Sequence, residues 1–193
     1  MFSKSLFTFL IIISGISFFS CNSPEKDKNA IPEDSQLAPA VDSFALYEEK
    51  LAKDSLNFEL RNKIAVNYYA AKDYQKAIFH FLKVYHNDGK NLAVIINLGN
   101  LYYDTELYEK AIEFYKKALL LDNTNTSVRC DMATCYLNIK EPKTALALLK
   151  ENIKQDFNHL QSHHNLSVVY TELGMTKEAE EELAIFNKLS SQK

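Results

Sequence analysis

The chain has 193 residues, of which 47% are hydrophobic and 24% charged, with four glycines and four prolines. This is the composition of a folded protein and excludes an intrinsically disordered chain. The 22 Lys and Arg residues are balanced by 25 Asp and Glu residues. The resulting net charge of −3 argues against a nucleic-acid partner, and three cysteines are too few for a disulfide scaffold.

Residues 1–20 have the features of a signal peptide. Lys4 precedes an apolar run from Leu6 to Phe19, and Ser20 then stands before Cys21. The run would form a helix roughly 21 Å long, which is short for a hydrocarbon core of about 30 Å. A cleaved leader is therefore favoured, with an uncleaved anchor or ordinary secretion as the alternatives.

The position of Cys21, directly after the apolar run, resembles the lipobox of bacterial lipoproteins. In that family the cysteine becomes the acylated first residue of the mature chain. Phe18 and Phe19 depart from the aliphatic and small residues that are usual there. The resemblance implies lipidation of Cys21, with the several acyl chains that stable anchoring requires. Asn22 stands where some bacteria use aspartate to retain lipoproteins in the inner membrane, so the outer membrane, on its periplasmic or surface face, is favoured.

Residues 21–40 read as the modified cysteine followed by a flexible linker. The stretch 22–40 holds three of the four prolines, mixed charges and few apolar side chains. As a flexible coil it would span on the order of 25 Å, enough to hold a folded domain clear of a bilayer.

The rest of the chain repeats with a period of 34 residues. Equivalent positions hold the same or similar residues in four units: Ala77, Ala111, Ala145 and Ala179; Tyr68, Tyr102, Tyr136 and Tyr170; and the small residues Ala65, Gly99, Ala133 and Ser167. The units are 58–91, 92–125, 126–159 and 160–193. Within each unit, apolar residues recur at spacings of three and four in two stretches separated by a polar break, which predicts a helical hairpin.

This pattern resembles the tetratricopeptide repeat, most closely in the second unit, LAVIINLGNLYYDTELYEKAIEFYKKALLLDNTN. The resemblance implies an all-α fold, an α-solenoid of about four hairpins over residues 58–193. Residues 41–57 align with the second helix of each unit, Tyr47 matching Phe81. They predict an N-terminal half-repeat helix that caps the array.

Two departures from the family pattern concern the turns between units. The family's Trp at the fourth position is absent, and so is its Pro late in the second helix. The residues found instead are Arg61, Ile95, Arg129 and His163 at the fourth position, and Gly89, Asn123 and Phe157 in place of Pro. They predict looser turns, with the fold retained.

No constellation of catalytic residues is recognisable, so the sequence predicts that the protein is not an enzyme and needs no cofactor. His159 and His163 are four apart, a spacing that can place two imidazoles on one helical face. His159, however, falls in the loop between units, and no cysteine or carboxylate lies at ligand spacing beside the pair. A metal site is therefore not predicted.

In the tetratricopeptide family the first helix of each hairpin lines a concave groove that binds a protein segment. The resemblance implies a lining without Lys or Arg, which favours a neutral or mildly basic segment over an acidic tail. The implied residues are Asn62, Val66, Tyr69, Ile96, Asn100, Tyr103, Cys130, Thr134, Leu137, His164, Val168 and Thr171.

Together these features predict a protein–protein interaction scaffold or adaptor, tethered by lipid in the bacterial cell envelope. Its expected partner is a protein or peptide. Two alternatives stay open. One is a self-assembling structural protein, for which Ile185, Phe186 and Leu189 near the C-terminus are candidate contacts. The other is a regulatory subunit of an envelope enzyme or transporter.

Overall fold

The computed structural model describes residues 41–192, which form nine α-helices and no strand. The predicted leader, Cys21 and the linker lie outside the described residues. In chain order the helices are α1 (Val41–Lys53), α2 (Phe58–Ala70), α3 (Tyr74–Asn87), α4 (Leu92–Asp104), α5 (Tyr108–Leu121), α6 (Thr126–Asn138), α7 (Pro142–Gln155), α8 (Leu160–Glu172) and α9 (Thr176–Ser190).

Each helix packs on the next one in the chain, and the helices pair as four hairpins: α2 with α3, α4 with α5, α6 with α7, and α8 with α9. The single helix α1 precedes them and packs on α2. The predicted fold class, an all-α solenoid of four helical hairpins with an N-terminal half-repeat helix, is confirmed.

The turn inside each hairpin depends on one residue with a left-handed backbone. These residues are 34 apart: Lys72 (φ 60°), Glu106 (φ 60°), Lys140 (φ 63°) and Gly174 (φ 74°). The amide that follows each of them donates back to the carbonyl of the repeat tyrosine, as Asp73 does to Tyr68 at 2.9 Å. A left-handed residue at the end of a helix lets the amides beside it donate to the last helical carbonyls. Of the four residues in this position, only that of the fourth unit is a glycine.

The first helices begin at asparagines that also recur every 34 residues. The side-chain Oδ1 of each accepts a hydrogen bond from the amide three residues later: Asn57 from Leu60 (2.9 Å), Asn91 from Val94 (3.1 Å) and Asn125 from Val128 (2.9 Å). Such caps satisfy an amide that has no partner within the helix. In the fourth unit His159 occupies the capping position.

Three of the four fourth-position residues hold the turn that precedes their unit, where the sequence predicted looser turns. Three polar side chains reach the carbonyl oxygen six residues earlier: Arg61 Nη2 donates to Ser55 (2.9 Å), Arg129 Nη2 to Asn123, and His163 Nε2 to Phe157 (2.7 Å). Ile95 has no polar group for this bond. Three of the four turns are therefore held by a hydrogen bond where the family has a packed indole.

Close helix approach depends on the small residues at the hairpin interfaces, and Gly99 is the tightest case. A Cβ on Gly99 would lie 2.6 Å from Cε1 of the Tyr115 ring. Tyr115 is among the largest fully buried side chains of the described residues, so its ring has little room to move.

α1 docks on the first hairpin through Glu48 and an aromatic stack. Glu48 Oε1 accepts a hydrogen bond from the Tyr68 hydroxyl at 3.0 Å and lies 3.2 Å from His80 Nε2. The Phe44 ring stacks on Tyr68 with centroids 4.8 Å apart, and Leu51 is buried. Burial raises the pKa of Tyr68 to about 12, and the Glu48 carboxylate adds to this shift. Burial lowers the pKa of His80 and outweighs the opposing effect of Glu48.

We expect Gly99→Ala to lower the free energy of unfolding by about 1–3 kcal/mol, because the added methyl must displace the Tyr115 ring. Helix propensity alone would raise the free energy of unfolding by about 1 kcal/mol, because alanine is a better helix former than glycine. The sign of the measured change therefore tells whether the contact with Tyr115 dominates. Urea denaturation of the full chain measures it. The control is Gly89→Ala, where the nearest atom to the new Cβ is Tyr85 O at 3.7 Å. A Gly99→Ala variant as stable as the wild type would contradict this account.

We also expect acid to destabilise the fold, because His80 is buried in its neutral form. The folded-state pKa of His80 lies below its ordinary value of 6.5. The stabilisation from neutral His80 is thus complete above about pH 6.5 and is lost as the pH falls through the folded-state pKa. Urea midpoints between about pH 7 and 5 should fall more steeply for the wild type than for His80→Gln. His86→Gln, which changes an exposed histidine of the same helix, should follow the wild type. Equal slopes for all three proteins would refute the assignment to His80.

Candidate functional site

The first helices α2, α4, α6 and α8 share one face, on which side chains of successive units meet. The Tyr69 hydroxyl on α2 donates to Asp104 Oδ2 on α4 at 2.7 Å. Asn165 Nδ2 on α8 donates to Thr134 Oγ1 on α6 at 3.1 Å, and the two helices are in direct contact. We call this surface the first-helix face. The groove residues predicted from the sequence lie on these four helices.

The centre of the first-helix face holds a group of aromatic, acidic and amide side chains, which we call the aromatic–acidic patch. Its members are Tyr69, Asn100, Tyr103, Asp104, Tyr115 and Asp131. The buried Tyr115 reaches the face with its hydroxyl, which donates to Asn100 Oδ1 at 2.8 Å. Tyr69 and Tyr103 are half-buried and occupy equivalent positions in two successive units.

Both of these half-buried tyrosines are held by a second tyrosine across the hairpin turn. The Tyr69 and Tyr74 rings meet edge to face with centroids 6.0 Å apart, and those of Tyr103 and Tyr108 do so at 5.7 Å. This arrangement is favourable for aromatic pairs and fixes the orientation of the rings. The patch therefore offers rigid aromatic surface.

Burial and the nearby carboxylates both raise the pKa of all three tyrosines of the patch. Burial raises the pKa of Tyr69 and Tyr103 well above the ordinary range, and the negative charges of Asp104 and Asp131 raise both further. Burial also raises the pKa of Tyr115, with Asp131 as the next largest cause. Asp131 on α6 is thus close enough to influence residues of α2, α4 and α5. Burial raises the pKa of Asp104, against the hydrogen bond from Tyr69 and the charge of Lys72.

The cations of the first helices are engaged elsewhere. Lys63 pairs with Glu59 at 2.9 Å, and Arg61 donates to the loop carbonyl of Ser55. The buried Arg129 donates through Nη1 to Asn152 Oδ1 at 2.9 Å and to Gln155 Oε1 at 3.1 Å, both on α7. Lys72 of the first hairpin turn influences the patch carboxylate Asp104.

The second helices of the first three hairpins are basic. α3, α5 and α7 together hold eight lysines and three glutamates. Several of these lysines lie over the repeat tyrosines: Lys76 over Tyr68 (4.9 Å to the ring centroid), Lys110 over Tyr102 (5.5 Å), Lys116 over Tyr136 (5.9 Å) and Lys150 over Tyr170 (5.7 Å). These contacts cover largely buried rings and stabilise the array.

The predicted groove residues fall into different environments. Tyr69, Asn100 and Tyr103 belong to the patch, while Asn62, Val66 and Ile96 are half-buried beside it on α2 and α4. Cys130, Thr134 and Leu137 are exposed by 1% or less, so they do not form the accessible lining that the sequence predicted. The physical reason at the first two is Asn165, whose Nδ2 bonds Thr134 Oγ1 and lies 3.4 Å from Cys130 Sγ.

The remaining predicted residues lie on α8. The His164 ring packs on the half-buried Phe186 of α9, with centroids 5.1 Å apart. Val168 is half-buried and Thr171 is exposed. Thr171 also borders a shallow cleft of about 190 Å³ between α8 and α9, together with Ser167 and Leu183.

Asp131 and Asn165 were missed as residues of the first-helix face. Both occupy the register of Lys63 and Asn97, one full period apart. The 34-residue step could have found them, because the same register contributes to the face in successive units.

The two histidines considered for a metal site have separate partners. His163 is fully buried, with Nδ1 2.6 Å from Glu182 Oε2 and Nε2 bonded to Phe157 O. His159 Nδ1 lies 2.7 Å from Ser162 Oγ. Within residues 41–192 no group of three or more His, Cys, Asp or Glu side chains is arranged to hold a metal ion. None of the helices in that range is long and apolar enough to span a bilayer.

Comparison with known families identifies the class of protein. The model described as "Tetratricopeptide repeat protein 21 forth ARM domain" matches residues 94–193, just over half of the chain. The protein therefore belongs to this family of tetratricopeptide-type helical repeats, which confirms the resemblance seen in the sequence.

Solved structures agree with this fold. A crystal structure of MamA is similar with a TM-score of 0.73 and 17% identity, over 78% of this chain and 88% of that one. MamA from Desulfovibrio magneticus RS-1, residues 41 to the end, gives a TM-score of 0.74 and 13% identity, over 79% and 86%. At these identities the likeness concerns the fold alone. Comparison with curated proteins gives no match.

Proposed function

We propose that the protein is a non-catalytic scaffold that binds a segment of a partner protein on its first-helix face. The aromatic–acidic patch carries this proposal. Tyr69 and Tyr103 are half-buried, rigidly held and placed one repeat apart. Tyrosine side chains of this kind give large contact area at small entropic cost. The helical-repeat framework supports the proposal, because stacked hairpins present an extended surface to a partner.

We further propose that the scaffold is anchored by lipid on Cys21 in the bacterial cell envelope, with the outer membrane favoured. The support comes from the sequence: an apolar leader, a cysteine at its end and a polar, proline-containing stretch before α1. A tethered domain of this kind could turn its first-helix face towards a partner in the same compartment.

Affinity purification of the full-length protein from membranes of its host tests the scaffold function. We expect Tyr103→Ala to reduce recovery of a discrete partner by about tenfold or more, as loss of a central tyrosine does in other interfaces. Phe79→Ala is the matched control, since Phe79 is a 53% exposed aromatic residue on the second helix α3. We avoid Asn100 as a test position because it accepts the hydrogen bond of buried Tyr115.

Equal recovery of the partner with wild type, Tyr103→Ala and Phe79→Ala would refute binding on the first-helix face. Recovery of this protein alone would favour self-assembly over the scaffold function. Thermal melting of each variant, followed by circular dichroism, shows that a loss of partner does not reflect unfolding.

The anchor has its own test. Cys21→Ala should abolish lipid attachment, which adds mass to the mature N-terminus, and should move the protein out of the membrane fraction. Ser23→Ala, which leaves the cysteine in place, should behave as the wild type. An unchanged Cys21→Ala protein, in both mass and fractionation, would refute lipidation.

A further inference from the structure

We infer that the cleft between α8 and α9 is a second binding site, which takes an amphipathic helix of a partner protein. That helix carries apolar residues at positions i and i+3 and a lysine or arginine at i+4. The site is additional to the first-helix face. The cleft has a volume of about 190 Å³, and its lining consists of Ser167, Thr171, Thr176, Ala179, Glu180 and Leu183. We call it the α8–α9 cleft.

The first argument is that each earlier hairpin is covered on this side by the next first helix: α3 packs on α4, α5 on α6, and α7 on α8. Leu183 of the cleft is 44% exposed, whereas the residues in its register are exposed by 1% or less, namely Phe81, Tyr115 and Leu149. Thr171 is exposed too, whereas Leu137, one period earlier, is buried. No helix within residues 41–192 follows on this side of the fourth hairpin. The α8–α9 cleft therefore has the position of a seat for a helix.

The second argument comes from the helices that pack on the earlier hairpins. α8 shares a buried cluster with Leu137 and Leu149 of the third hairpin, to which it contributes Leu166, Val169 and Tyr170. α6 packs on the core of the second hairpin with residues in the same register, Met132, Cys135 and Tyr136. Residues spaced i, i+3 and i+4 share one face of a helix. The α8–α9 cleft thus fits a helix that presents such a stripe.

The third argument is the charge of the cleft. Glu180 stands where the earlier units have an apolar residue in the same register, namely Ile78, Ile112 and Leu146. Glu180 is exposed, and the ion pairs of α9 are made by its neighbours Glu181 and Glu182. A helix that docks here therefore gains from a cationic side chain opposite Glu180.

The place of this cation follows from the lysines that cover the tyrosine of each incoming helix. Lys150 of α7 lies over Tyr170 of α8, 5.7 Å from the ring centroid, and the same arrangement occurs one unit earlier. The residue in the register of Lys150 on α9 is Ala184. Ala184 lies one turn after Glu180 on the same face of the helix. At i+4 the docking helix thus meets a carboxylate instead of an ammonium, so a lysine or arginine fits there better than a tyrosine.

The test uses the full-length protein and fluorescein-labelled peptides that copy α8, because α8 occupies the equivalent place on the third hairpin. One peptide carries Tyr170→Arg and a second carries Tyr170→Glu. A third carries Tyr170→Arg together with Leu166→Ser and Val169→Ser. By fluorescence anisotropy, the Arg peptide should bind about tenfold tighter than the Glu peptide. The third peptide should lose about tenfold or more against the Arg peptide, because it lacks the apolar stripe.

Variants of the protein locate the site. Glu180→Lys should reverse the order of the peptides, so that the Glu peptide binds tighter than the Arg peptide. Leu183→Ser should weaken binding of the Arg peptide by about fivefold or more. The matched control is Glu181→Lys, which makes the same change of charge at the next position of α9, exposed and outside the cleft. It should leave the order of the peptides unchanged. All three variants should melt as the wild type does, because these side chains are exposed.

Four results would overturn the inference: no binding of the Arg peptide by the wild type, an unchanged order of the peptides with Glu180→Lys, the same reversal with Glu181→Lys, or loss of the Arg peptide with Tyr103→Ala. The last result would move the peptide to the first-helix face. Sedimentation velocity tests the other occupant. Association between copies of the protein that Leu183→Ser abolishes would assign the α8–α9 cleft to a second copy and would also overturn the inference.

Discussion

Tyr115 reaches the first-helix face because Gly99 has no side chain. A methyl group at position 99 would lie 2.6 Å from the ring, so the second helix α5 could not approach α4 as it does. The buried ring then delivers its hydroxyl to Asn100, next to the surface where Tyr103 and Asp104 lie. The contact between Gly99 and Tyr115 thus sets the spacing of α4 and α5, and it also brings the Tyr115 hydroxyl into the aromatic–acidic patch.

Arg129, at the fourth position of the third unit, joins the preceding turn to a buried network of hydrogen bonds. Arg129 bonds a loop carbonyl and Asn152, and Asn152 in turn donates to Thr126 O at 2.6 Å and Ser162 Oγ at 3.0 Å. This buried network joins α6, α7 and α8, and every member has a partner, which makes such a network stabilising.

Much of this architecture could be predicted from periodicity, because residues 34 apart must occupy equivalent sites in a stacked array. The hairpins, the small residue at Gly99 and the half-buried Tyr69 and Tyr103 follow from the register. The burial of Thr134 does not, because it depends on how far α8 leans towards α6 and lets Asn165 bridge them. A hydrogen bond of this kind joins helices of successive units, and the sequence of one repeat does not encode it.

The bonds made by the fourth-position residues could not be predicted for a similar reason. Absence of the family's Trp is visible in the sequence, but the compensating bond requires a carbonyl that points back towards the helix. The backbone conformation of the turn decides where this carbonyl points. In the fourth unit, for example, Phe157 O points towards His163 Nε2 and accepts its hydrogen bond. The 34-residue register could have placed Asp131 on the first-helix face, but the sequence does not show which side chains surround it. Its significance comes from the tyrosines that neighbouring units bring around it.

The lysines of the second helices have a structural role that helps to explain the separation of charge. Lys110 covers the largely buried ring of Tyr102, and Lys150 covers Tyr170. Each needs its long apolar stem along the ring and its ammonium in water, so it must stand on the outer side of the hairpin. Positive charge is thereby placed where it stabilises the array, and the first-helix face is left with its carboxylates. Substitution of these lysines should consequently affect stability, whereas substitution of Tyr69 or Asp104 should affect binding.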